Sequence, residues 1–148
     1  MASDREKPSM LDEPATLADV RILIVEDEPL IAVMIEEFVQ ELGCQFCQTA
    51  STAHAAMEAI ETVAPDVVIL DVTLTGGAPN FDVADDLAFR DVPFVFCTGH
   101  DPDIVPDRYR NRPFVAKPFS MDEMCAAIAR AMRRSPAERG RYAASVRP

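Results

Sequence analysis

Short runs of consecutive apolar residues, each bounded by polar or turn residues, recur along the chain. Four of them predict buried strands, at Val20 to Val25, Val67 to Leu70, Phe94 to Cys97 and Phe114 to Ala116. A weaker run, Gln45 to Thr49, predicts a fifth strand. Because apolar runs without alternation are typical of strands covered on both faces, the pattern indicates a sheet between layers of helices.

The segments between these runs carry apolar residues at helical spacing. The clearest stripe consists of Ile31, Met34, Ile35, Phe38, Val39 and Leu42. This helix is predicted to end at Gly43, because glycine readily adopts the left-handed conformation that follows many helices. A second helix is predicted over Ala53 to Val63, before Pro65.

The last predicted helix begins with a capping box, in which Ser120 and Glu123 each accept a hydrogen bond from a backbone N–H of the first turn. Its predicted apolar face consists of Met121, Met124, Cys125, Ile128 and Met132. Two further helical segments are poorer. Asn80 to Phe89 is short, and His100 to Arg110 contains two prolines, so we expect only an irregular helix there.

Strands and helices alternate five times, which predicts an α/β fold with a parallel sheet and helices on both faces. The 148 residues, 49% of them apolar, fit one domain, predicted over residues 20–133. Residues 1–19 form a predicted polar extension and residues 134–148 a predicted disordered, basic tail. Neither a long apolar run nor a signal-like start is present, so we expect a cytoplasmic protein.

The charge of the chain argues against nucleic acid as its main ligand. The net charge is −11, while the last sixteen residues carry five arginines against one glutamate, so that the rest of the chain carries −15. Nucleic-acid-binding domains are usually basic on the binding face. The basic tail could instead touch an acidic partner, although a solvated end is the simpler interpretation.

Four cysteines lie at positions 44, 47, 97 and 125, mostly inside apolar patterns. Cys44 and Cys47 form a C-x-x-C, but no second pair follows at the spacing of zinc ligands. Small buried side chains are therefore the favoured interpretation. His54 and His100 fit no metal-ligand or nucleophile pattern, and both are expected to be solvated.

Polar residues directly follow the predicted strands, and the carboxyl ends of parallel strands are where such sheets bind ligands. These residues are Glu26, Asp27, Asp71, Thr98 and Lys117. Carboxylates clustered at one edge repel one another unless a cation lies among them, and oxygen ligands favour a hard ion such as Mg²⁺. The sequence thus predicts a magnesium site.

Lys117 and Thr98 add an ammonium and a hydroxyl to this edge, which together suit a tetrahedral anion. The chain has twelve arginines and only two lysines, so a lysine at the end of a strand indicates that a compact ammonium is needed there. The predicted ligand is a phosphoryl group.

The set Glu26-Asp27, Asp71, Thr98 and Lys117-Pro118-Phe119, in this order, resembles the receiver domain of two-component response regulators. The stretch from Pro93 to Gly99 also resembles a variant group with a P-F-x-F-A-T-G stretch, with Cys97 at the alanine position. The resemblance implies a flavodoxin-like, five-stranded parallel sheet of order 2-1-3-4-5.

By this resemblance, Asp71 accepts the phosphoryl group, assisted by Thr98 and Lys117. Mg²⁺ is held directly by Asp27, Asp71 and the backbone carbonyl of Thr73, and by Glu26 through water. The Lys117-Pro118 bond is expected to be cis. Thr98 and Phe114 are the expected switch residues, although a phenylalanine in such a strand can equally be part of the core.

The resemblance also implies partners: a sensor histidine kinase or phosphotransfer protein, an effector protein and, on phosphorylation, a dimer. Because only residues 134–148 follow the last predicted helix, a stand-alone regulator is expected, without membrane insertion. Such a protein assists its own phosphorylation and hydrolysis without being a dedicated enzyme. By the same resemblance, Thr73, Gly99 and His100 are expected next to the site, at positions that tune the lifetime of the phosphate in the family.

Two alternatives belong to other classes. A haloacid-dehalogenase-like, Mg²⁺-dependent phosphohydrolase also has an aspartate nucleophile at a strand end, but it needs a second aspartate two residues later, where this chain has Thr73. A degenerate receiver that binds partners without phosphate would lack one of the residues Asp71, Thr98 and Lys117, and none is missing.

Overall fold

The computed structural model describes residues 17–74 and 77–133. Its strands are β1 (Arg21–Val25), β2 (Phe46–Ala50), β3 (Val67–Leu70), β4 (Phe94–Thr98) and β5 (Phe114–Ala116). Its α-helices are α1 (Pro29–Glu41), α2 (Ala53–Val63), α3 (Asp82–Phe89) and α4 (Met121–Met132). The predicted extension up to residue 16 and the basic tail lie outside the described residues.

The five strands form one parallel sheet in the order β2-β1-β3-β4-β5. The predicted α/β fold and its strand order are confirmed. The bounds of β3 and β5 agree with the sequence prediction, and the ends of the other three strands differ from it by one residue. The carboxyl ends of β1, β3, β4 and β5 therefore share one edge of the sheet.

Local signals set the ends of the helices. Pro29 is the first residue of α1, where its missing N–H costs nothing, and Gly43 follows the helix with a φ of 98°. The hydroxyl of Thr52 accepts a hydrogen bond from the backbone N–H of Ala55 at the start of α2. The predicted capping box of Ser120 and Glu123 is present at the start of α4.

The side chains of the sheet divide into two cores. The larger core lies between the sheet and helices α2 and α3, and it includes Leu23, Leu70 and Phe96. The smaller core lies on the other face, under α1 and α4, and its strand residues include Ile24 and Ile69. Leu17 is buried in the smaller core, so the packed structure includes residues of the predicted extension.

Two predicted helix faces need correction. In α1 the buried residues are Ala32, Ile35 and Val39, whereas Met34 is 38% exposed. In α4 the buried stripe runs through Met124 and Ile128 and is completed by alanines, whereas Met132 is 37% exposed. Alanines let each helix approach the sheet closely, so the contact stripe is narrower than the distribution of large apolar residues suggests.

The prediction of an irregular helix over His100 to Arg110 is also wrong in part. The β4–β5 connection, residues 99–113, contains two separate 3-10 segments, Pro102–Ile104 and Asp107–Tyr109. Asp101 and Val105, which precede the two prolines, are extended, as the proline ring requires of the residue before it. The prolines thus divide this connection into two short turns.

Within the described residues, every helix is too short or too polar to cross a membrane.

Candidate functional site

The polar residues predicted to meet at the edge of the sheet do meet there. Glu26 and Asp27 follow β1, Asp71 follows β3, Thr98 is the last residue of β4, and Lys117 follows β5. They line one open cleft of about 410 Å³. The parallel arrangement of the strands thus brings residues from four strand ends to a single place.

The ammonium of Lys117 bridges two carboxylates. Its Nζ lies 2.7 Å from Oε1 of Glu26 and 2.8 Å from Oδ2 of Asp71. Glu26 and Asp71 are buried, and the side chain of Lys117 is only 16% exposed. Charge-assisted hydrogen bonds of this length are strong in a site largely shielded from water.

The second oxygen of each buried carboxylate also has a partner. The backbone N–H of Thr73 donates to Oδ1 of Asp71 over 2.9 Å, and that of Glu28 donates to Oε2 of Glu26 over 3.0 Å. Both N–H groups belong to residues two positions after the carboxylate. The backbone that follows each strand therefore fixes the orientation of the carboxylate at the end of that strand.

Burial and charge act on the pKa values of Glu26 and Lys117 in different ways. Burial raises the pKa of Glu26 above its ordinary value, although Lys117 opposes this by stabilising the carboxylate. Burial also disfavours the ammonium of Lys117, but its hydrogen bonds to Asp71 and Glu26 outweigh burial and raise its pKa. Lys117 is therefore held in its charged form.

The three carboxylates fit a divalent cation. One oxygen each from Glu26, Asp27 and Asp71 lies within 4.8 Å of the other two. Asp27 is more exposed than the other two, so one side of the group faces the solvent of the cleft. An oxygen-only donor set that is open to water suits Mg²⁺, which retains several water ligands.

The remaining predicted residues lie around this centre. Thr98 is buried, and its Oγ1 accepts a hydrogen bond of 3.3 Å from the backbone N–H of His100. Thr73 lines the cleft, and its own Oγ1 is buried without a hydrogen-bond partner among the described residues. Phe114 is half-buried against the larger core. The Lys117-Pro118 peptide is cis, as expected.

Some contributions to the site were not predicted. Ile31 lines the cleft, and the backbone N–H groups of Thr73 and Glu28 orient its carboxylates. Residue type cannot reveal a backbone donor, although the short chain segment after each strand could have suggested one. Cys44 and Cys97 are buried and all four cysteines are free thiols.

Comparison with known proteins agrees with this geometry. Residues 22–129 match the family model described as the response regulator receiver domain. The chain is 34% identical to the phyllosphere-induced regulator PhyR of Methylorubrum extorquens over 119 residues, 75% of this chain and 43% of PhyR. It is 32% identical to the transcriptional regulatory protein PdtaR of Mycobacterium tuberculosis, over 82% of this chain and 62% of PdtaR.

A solved structure is also similar. The solution structure of SdrG from Sphingomonas melonis Fr1 superposes with a TM-score of 0.67 and 46% identity, over 78% of this chain and 95% of SdrG. By contrast, the chain spans about half the length of the curated relatives it matches. These relatives share the receiver domain with this chain, and their other parts lie outside the match.

Proposed function

Because the chain belongs to the response regulator receiver family, we propose that it accepts a phosphoryl group on Asp71 from the phosphohistidine of a sensor kinase or phosphotransfer protein. The observation that carries this proposal is the contact between Asp71 and Lys117, beside Thr98, in a cleft that is open to solvent. A nucleophile, a cation and a hydroxyl donor are thus in place before any partner arrives.

The transfer is a substitution at phosphorus. A carboxylate oxygen of Asp71 forms a bond to the phosphorus, the bond from phosphorus to the imidazole nitrogen breaks, and the partner's imidazole leaves with the electron pair. Lys117, which contacts Asp71, would balance the charge of the transferred group, and Thr98, which lines the same cleft, would donate its hydroxyl to a phosphoryl oxygen. These residues act by position and charge.

We propose that Asp27, Asp71 and the backbone carbonyl of Thr73 hold Mg²⁺, with Glu26 acting through water. The cation would offset charge on the phosphoryl oxygens. The clustering of the three carboxylate oxygens supports this proposal. Among the described residues, Lys117 is the only positively charged side chain in contact with Glu26 and Asp71.

The partner that donates the phosphate must reach Asp71 through the mouth of the cleft. Helix α1 begins beside this mouth, since Glu28 and Ile31 line the cleft. The same helix exposes three apolar side chains: Leu30 is 80% exposed, Val33 48% and Met34 38%. We therefore propose that this apolar face of α1 contacts the protein that carries the phosphohistidine.

The outcome of phosphorylation is a protein contact. The relatives named above are regulators, and residues 22–129 of this chain match the receiver domain. We propose that Thr98 and Phe114 change position when Asp71 is phosphorylated and so alter the surface beside β4 and β5. The effector protein, or a second copy of the chain, would bind that surface.

Intact mass spectrometry tests the acceptor directly. The full chain incubated with acetyl phosphate and Mg²⁺ should gain one phosphoryl group that is stable in acid and labile in base. Asp71→Asn should gain none, because the amide is a poor nucleophile. A wild type that never gains the mass, or a D71N variant that gains it equally, would contradict the proposal.

A further inference from the structure

The β4–β5 connection is attached to the rest of the protein mainly through side chains. Five of its backbone N–H groups donate to carbonyls three residues earlier in the same connection. These donors are Ile104, Val105, Tyr109, Arg110 and Arg112. Local turns of this kind give the connection its shape but do not fix its position on the domain.

Tyr109 is the main anchor of this connection. It is 1% exposed and lies in the larger core, where its ring contacts those of Phe81, Phe94 and Phe96 at centroid distances of 5.7 to 6.5 Å. Aromatic contacts of this kind add to the stabilisation from burial itself. The second 3-10 segment is thus fixed by one large side chain in the core.

A carboxylate on helix α3 adds polar contacts to this anchor. The hydroxyl of Tyr109 donates to Oδ1 of Asp85. Arg108 donates to the same carboxylate from Nε, at 3.2 Å, and from Nη2, at 3.0 Å to Oδ1 and 3.3 Å to Oδ2. We refer to Asp85, Arg108 and Tyr109 as the Asp85 latch, because they join the connection to α3.

The other end of the connection begins at the functional site. Thr98 is followed by residue 99 of the connection, and its hydroxyl accepts the N–H of His100. In this arrangement both oxygens of Asp71 are bonded within the protein, to Lys117 and to the N–H of Thr73. These contacts of Asp71 and Thr98 thus occur in the same structure as all the contacts of the Asp85 latch.

We propose that the Asp85 latch stabilises the resting state of the domain and that it loosens when Asp71 carries a phosphoryl group. The proposal rests on the proposed function. When Thr98 turns to donate its hydroxyl to a phosphoryl oxygen, the bond that its Oγ1 accepts from the N–H of His100 either breaks or moves with it. In both cases the first residues of the connection change position. Since local turns make the connection a short, stiff segment, the displacement reaches its anchor on α3.

Coupling of this kind is reciprocal. If phosphorylation weakens the latch, then a weaker latch must favour the phosphorylated state by the same factor. Asp85 and Arg108 are both 47% exposed, so solvent screens their ion pair and the expected effect is modest. We expect about a threefold change in affinity for a phosphoryl mimic when the latch is broken.

The test uses the full chain, Mg²⁺ and beryllofluoride, a mimic of the phosphoryl group. Asp85→Ala should bind beryllofluoride about threefold more tightly than the wild type, as measured by isothermal titration calorimetry. Asp86→Ala is the matched control, because it removes the neighbouring carboxylate of α3, which pairs with Arg90 and not with the connection. Tyr109→Phe keeps the buried ring, removes only the hydroxyl and should act like D85A.

Hydrogen exchange gives a second readout in the wild type. Beryllofluoride with Mg²⁺ should speed the exchange of amides in residues 101–112, whereas it should protect amides around Asp71. The latch proposal would be overturned if D85A, Y109F and D86A bound beryllofluoride with equal affinity and exchange in the connection were no faster, in a protein whose Asp71 is still labelled by acetyl phosphate. A wild type that is never labelled would instead contradict the proposed function, and the latch with it.

Discussion

The ammonium nitrogen of Lys117 lies 2.8 Å from Oδ2 of Asp71, although 46 residues separate the two in the chain. The same nitrogen also contacts Glu26, whose carboxylate is 2% exposed. One cation thus serves two buried anions from two other strand ends. The stability of the domain should therefore depend on the side chain that also assists the proposed phosphoryl transfer.

Removal of this cation should destabilise the protein. Lys117→Met keeps most of the apolar stem but leaves Glu26 and Asp71 next to each other without a positive charge. We expect the free energy of unfolding in EDTA at pH 7.5 to fall by about 3 kcal/mol, as measured by urea denaturation. Lys117→Arg, which retains the charge, should lose less stability, and a K117M variant as stable as the wild type would contradict the prediction.

Removal of the charge of Glu26 should instead stabilise the protein when metal is absent. Its pKa is raised by burial, so its ionised form is the costly one in the folded state. Glu26→Gln should therefore be more stable than the wild type in EDTA at pH 7. A raised pKa in the folded state also means that protonation stabilises the wild type, and this gain is complete only below the ordinary value of 4.5.

The difference between E26Q and the wild type should accordingly shrink as the pH falls through the raised pKa of Glu26 and vanish below about 4.5. Urea denaturation at several pH values measures it. A difference that stays constant with pH would show that the effect of the substitution arises from packing rather than charge.

The sheet and its site were predictable because both depend on local pattern. Each apolar run defines a strand, and each polar residue after a run, such as Asp71 or Lys117, is placed by the end of that strand. The β4–β5 connection was not predictable in the same way. Tyr109 contacts Phe81 in the core and forms a hydrogen bond with Asp85, which lies 24 residues earlier. The spacing of apolar residues does not predict such a contact.

Magnesium should stabilise the protein through Asp27. Millimolar Mg²⁺ should raise the melting temperature of the wild type, because a cation relieves the repulsion among Glu26, Asp27 and Asp71. Asp27→Asn should lose most of this increase. Asp122→Asn, on the exposed first turn of α4, is the control and should respond to Mg²⁺ as the wild type does. An equal increase in D27N would place the bound ion elsewhere.

The apolar face of α1 should matter to a protein donor and not to a small one. Leu30 is 80% exposed beside the cleft, so Leu30→Ser removes apolar area that a partner would bury without disturbing the core. With the fastest donor from a panel of autophosphorylated histidine kinases, we expect kcat/KM for transfer to fall about tenfold. Labelling of the same variant by acetyl phosphate should be unchanged, because that molecule needs only the cleft.

The matched control for this prediction is Met132→Ser, which removes an exposed apolar side chain from the last residue of α4. It should leave transfer from the kinase at the rate of the wild type. If L30S and M132S transfer alike, the donor does not use α1. If L30S loses labelling by acetyl phosphate as well, the substitution has damaged the cleft itself, because Leu30 adjoins Ile31, which lines the cleft.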